Sequence, residues 1–160
     1  MNRIERLIDK VETAWGAFHA AYADLPDEML LISGVCGDWS IRDLIAHVTW
    51  WDAEALKHLP LVLAGGRPPR YADVYGGIDA FNALKTEEKR ALSLEDVRRE
   101  AVDTHARLIA YLTSIQPDTL KGKTPGSPIA FVSIPTVTIP STRPTSAIGG
   151  RTMASDAASG

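Results

Sequence analysis

Apolar residues recur at intervals of three and four over most of the first 115 positions, the period of an amphipathic helix. Ile4, Leu7, Ile8, Val11, Trp15, Phe18 and Tyr22 form one stripe, predicting a helix over 2–23 that stops at Asp24-Leu25-Pro26-Asp27. Ser40 followed by Asp43 is a helix-start signal: the hydroxyl takes an orphan N–H and the acid favours the positive helix end. Behind it Ile41, Leu44, Ile45, Val48, Trp51, Ala55 and Leu59 make a second stripe, which Pro60 is expected to kink or end. "AGGRPPRYADVYGG" reads as a connection, and 77–90 as a shorter helix with Ile78, Phe81 and Leu84 on its apolar side. Ser93 and Asp96 repeat the start signal. Leu94, Val97, Ala101, Leu108, Leu112 and Ile115 then predict a third long helix ending at Gln116-Pro117-Asp118. Three long helices joined by short and long connections imply an all-α bundle wanting a fourth partner.

The pattern then fails. From Pro125 onward the chain holds five of its ten prolines, no lysine, glutamate or histidine, and only Arg143, Arg151 and Asp156 as charges. The division expected is a helical bundle over 1–122 and a low-complexity, disordered tail over 123–160, the fourth helix being degraded or absent. An abrupt loss of charge and helical period is also what a shifted reading frame produces.

Composition narrows the class. Hydrophobic residues at 45% and charged residues at 23% are ordinary for a globular chain, and the net charge of -3 argues against a nucleic-acid partner. No run approaches the ~20 apolar residues of a membrane span. The opening "MNRIERLIDKVE" carries charges where a signal peptide needs its apolar region. The single cysteine, Cys36, excludes an intramolecular disulfide, and a cytoplasmic location is expected.

Four histidines are the candidate chemistry. His19 lies near the edge of its stripe, and His58 pairs with Glu54 one turn away, a spacing common on exposed helix faces. His47 and His105 point inward, each flanked at three and four residues by apolar positions. Inward histidines on two helices are how metal sites in bundle cores are built, and equally how hydrogen-bonded core histidines look. Two are too few, since a catalytic zinc wants three protein ligands. Asp52 and Glu54 read as surface groups, and Trp51 as core, leaving Trp50 as a candidate pocket wall.

"DWSIRDLIAHVTWWDAEAL" resembles the second-helix signature of the DinB-like superfamily of four-helix bundles. Tyr75 to Arg90, with "LSLEDVRREAVDTHARLIAYL", is similar to the bacterial branch related to the ClbS/DfsB proteins, and the likeness spans roughly 1–120. The resemblance implies an up-down bundle, a homodimer, and a divalent metal (nickel, zinc or iron) held by three histidines. His47 matches the ligand of the second helix. The other two ligands form a pair on the last helix, which this chain lacks, and the resemblance assigns no ligand role to His105. The activity implied is thiol transfer, isomerisation or hydrolysis of an unknown small-molecule substrate, in protection against a reactive compound. The alternatives are a non-catalytic binding or dimerisation module and an inactive truncated relative.

Overall fold

Capping chemistry sets where each long helix begins. The structure, a computed structural model, describes residues 1–116 and Thr119. Asn2 opens α1 (Arg3–Ala20): its side chain accepts from the N–H groups of Ile4 and Glu5, while Glu5 returns to the Asn2 N–H. Ser40 with Asp43 opens α3 (Ile41–Leu63), and Ser93 with Asp96 opens α6 (Leu94–Ser114), by the same reciprocal pair of bonds. Between them lie α2 (Asp27–Leu30), α4 (Tyr71–Tyr75) and α5 (Ile78–Lys89). Ser93 is exposed, so Ser93→Ala isolates the cap from burial. A loss of about 1 kcal/mol is expected, read as a lower urea midpoint at unchanged slope.

The all-α fold is as the periodicity predicts, and 77–90 is realised as α5, although of its expected apolar side only Phe81 is buried while Ile78 and Leu84 are exposed. Two expectations need correction. Of the two outcomes expected at Pro60, a kink or an end, the end does not occur: the helix continues to Leu63 and closes with Ala64 N–H on the Pro60 carbonyl. Pro60 sits on the exposed side, where water can meet the Leu56 carbonyl that the missing N–H and the ring leave without its helical partner. The connection after it is not featureless either. It contains α4, which stops where Gly76 takes a left-handed φ of 83°, a conformation glycine adopts without Cβ strain, so that α5 can start two residues later at Ile78.

Helix α3 is the centre of the arrangement. It packs most extensively on α6 and next on α5, while α1 lies against α6 and α4 against α5. One core cluster joins Phe18, Tyr22, Leu30, Leu44, Ile45, Val48, Trp50, Phe81 and Val97 at the end of the bundle where α3 begins. A second gathers Val11, Ala55, Leu59, Leu108 and Leu112 further along. Among the described residues no helix is long and apolar enough to cross a membrane. The expected boundary at 122/123, the tail and any fourth helix fall outside the described residues.

Candidate functional site

His47 lies two turns into α3, on the side its flanking leucine and valine predict. It is 9% exposed, and its Nδ1 is buried without a hydrogen-bond partner. Three tryptophans surround the imidazole: the ring centroids of Trp39 and Trp50 are each 4.9 Å away, and that of Trp51 is 6.3 Å away. Burial among these rings disfavours the imidazolium and brings the pKa down to about 4. The ring is therefore neutral at pH 7, the form that offers a lone pair.

Trp50 is 3% exposed, and its indole Nε1–H is also buried without a partner. The expectation that Trp51 is the core residue and Trp50 the pocket wall is inverted: Trp51 is half-buried and Trp50 is enclosed. The helical stripe alone does not separate neighbouring positions when both sides of α3 are covered.

The same coverage corrects the carboxylates. Asp52 and Glu54, read as surface groups, are 4% and 7% exposed, and His58 is buried with them. Asp52 Oδ2 lies 3.3 Å from His105 Nδ1, tying α3 to α6. Glu54 accepts from the Tyr71 hydroxyl at 2.6 Å and from Lys57 at 3.2 Å, and lies 3.1 Å from His58 Nε2. Although burial opposes its charge, the bonds from Tyr71 and Lys57 and the nearby His58 hold the Glu54 carboxyl below its ordinary range. Tyr71 belongs to this cluster: the sequence marks it, with Arg67, Arg70 and Tyr75, only as a residue of a long connection that could be functional or a plain crossover, and gives no sign of its bond to Glu54. His19, at the edge of its stripe, is half-buried and bonds Tyr22. His105 is buried, as its flanking positions predict, with Trp15 stacked on its ring at 4.0 Å.

A divalent metal held by three histidines fits one position of this arrangement and not the set. The orphaned Nδ1 of His47 suits a ligand. Among the described residues, however, no three histidine, cysteine, aspartate or glutamate side chains converge on one point. His105 and His58 are engaged with Asp52 and Glu54. Beyond Gln116 the sequence holds no histidine, cysteine or glutamate, and only Asp118 and Asp156 as carboxylates.

Compared with known families, the chain matches the model of the DinB superfamily over residues 10–137. No curated protein and no solved structure matches it.

Proposed function

Because the chain belongs to the DinB superfamily, we propose that it acts as a small-molecule-binding helical module of the ClbS/DfsB-related branch. In this reading it is cytoplasmic, works without a metal centre of its own, and carries a tail altered by a shifted reading frame. The pairing of its ligand-type side chains carries the proposal: Asp52 is taken by His105, and Glu54 by His58 and Tyr71, so the bundle spends its buried donors on holding itself together. Metal-dependent transfer, isomerisation or hydrolysis needs a ligand set that these residues do not supply.

One observation favours a second reading, a metal-dependent enzyme protective against a reactive small molecule. His47 keeps a neutral, buried, unpartnered nitrogen, the state a metal ligand needs. In that reading a homodimer's second copy supplies the missing donors.

Elemental analysis of the purified protein beside His47→Ala separates the two. The module reading expects both proteins to hold well under about one metal per chain. Stoichiometric nickel, zinc or iron that disappears in His47→Ala would establish the second reading instead.

A further inference from the structure

The Asp52–His105 pair has a feature that fold stability alone does not require. His105 lines a groove of about 470 Å³ between α1 and α6, whose other walls include Trp15, Val102, Ala106 and Ile109, with Glu12. That volume lies within the range of small-molecule sites, and the lining is apolar apart from the imidazole and one carboxylate. Two contacts set the imidazole. Trp15 stacks on it at 4.0 Å and 4° between planes, fixing the ring plane. The Asp52 carboxylate, on the neighbouring helix, accepts from Nδ1–H at 3.3 Å, so that Nε2 is the ring nitrogen that carries the lone pair of the uncharged imidazole. Among the described residues Nε2 has no hydrogen-bond partner. An oriented acceptor in an apolar groove selects for a ligand with a matching donor, since a donor left unpaired on burial is costly.

We propose that the α1–α6 groove binds a planar, mainly apolar small molecule bearing an O–H or N–H donor, which His105 Nε2 accepts. Asp52 is the positioning residue, acting through the tautomer of His105. Glu12, a second acceptor on the groove, favours the same donor-bearing class and disfavours anions. This site is separate from His47 and does not depend on whether that residue holds a metal.

Phenol and anisole are the probes, alike in shape and differing in the O–H. In NMR titrations of the full chain, followed at the His105 ring, phenol is expected to give saturable shifts. Anisole should bind about fivefold more weakly, the loss of one net hydrogen bond. Ala106→Trp fills the groove from an exposed position and should abolish both while the thermal melt stays intact; Val102→Trp, also exposed, should repeat the result. Asp52→Asn can donate to Nδ1 and move the ring proton to Nε2. It should bring the two probes to equal affinity and shift the ring nitrogen resonances, whereas a merely structural role would weaken both probes alike. Absence of saturable shifts, equal affinities in the unaltered protein, or binding that survives Ala106→Trp would overturn the proposal. So would phenol binding that vanishes as the protein dimerises, which would give the groove to a second copy.

Discussion

Phe81→Ala is expected to cost about 3–5 kcal/mol, a large share of the ~5–15 kcal/mol that holds a domain folded. Phe81 is the one fully enclosed residue of α5 and has no exposed surface. Its ring meets Tyr71 at 4.8 Å, Tyr75 at 4.9 Å and Trp51 at 5.4 Å, with tilted or edge-on geometries that aromatic pairs favour. It therefore fastens α4 and α5 together and both to α3. Truncation removes the transfer energy of the ring and leaves a cavity bordered by three large aromatics that cannot all move in. Urea titration read by tryptophan fluorescence checks this. A midpoint lowered in proportion to that loss is expected, and Leu84→Ala, half-exposed on the same helix, should change stability by no more than about 0.5 kcal/mol. If the two substitutions cost the same, Phe81 is not the anchor of α5.

Acid should destabilise the metal-free protein well before its carboxylates protonate, and His47 should be the main cause. In the unfolded chain its pKa returns to the ordinary 6.5, against about 4 in the fold. Between those values the unfolded state binds a proton that the native state refuses, so stability is full above pH 6.5 and falls as pH drops toward 4. The slope approaches 1.4 kcal/mol per pH unit, and the total loss by pH 4 is about 2–3 kcal/mol, allowing for the water that reaches part of the ring. His19 adds to the same trend, its pKa being lowered by burial, then by His105 and Arg98. Glu54 and Asp43, both held below their ordinary values, take over at lower pH: their contributions are present above the unfolded carboxylate pKa and lost as pH falls through the folded one. Urea midpoints measured from pH 7.5 to 4.5 with a chelator present test the assignment. His47→Gln, polar but not titratable there, should flatten most of the slope. An unaltered protein whose midpoint is level across that interval would show that His47 is solvated in the native state.

The capping boxes of Ser40 and Ser93, the three long stripes and the inward direction of His47 and His105 were legible in the sequence, because each depends on residues within one or two turns; the Asn2–Glu5 box of α1 emerged only in the structure. A serine cap with an acid three residues on meets its partner wherever the helix goes. Apolar spacing likewise identifies a helix's most buried side without knowledge of what covers it. The pairing within the site was not legible. Tyr71 reaches Glu54 across 17 positions of chain, and His105 reaches Asp52 across 53, separations at which no local pattern operates. The Ser40–Asp43 box and the inward side of His47 could be read from "SIRDLIAH", yet the tryptophan box around His47 needed Trp39 from outside the helix.

What the sequence determined by itself was thus the all-α class, the helix starts and the face that each long helix turns inward. What only the tertiary structure decided was how far burial extends around α3. Flanked by α6 on one side and by α4 and α5 on another, that helix has little polar face left for solvent, so Asp52, Glu54 and His58 are enclosed and must satisfy one another. A polar residue at a helix position is exposed only if nothing packs there, and which distant segment packs there is a property of the assembled bundle.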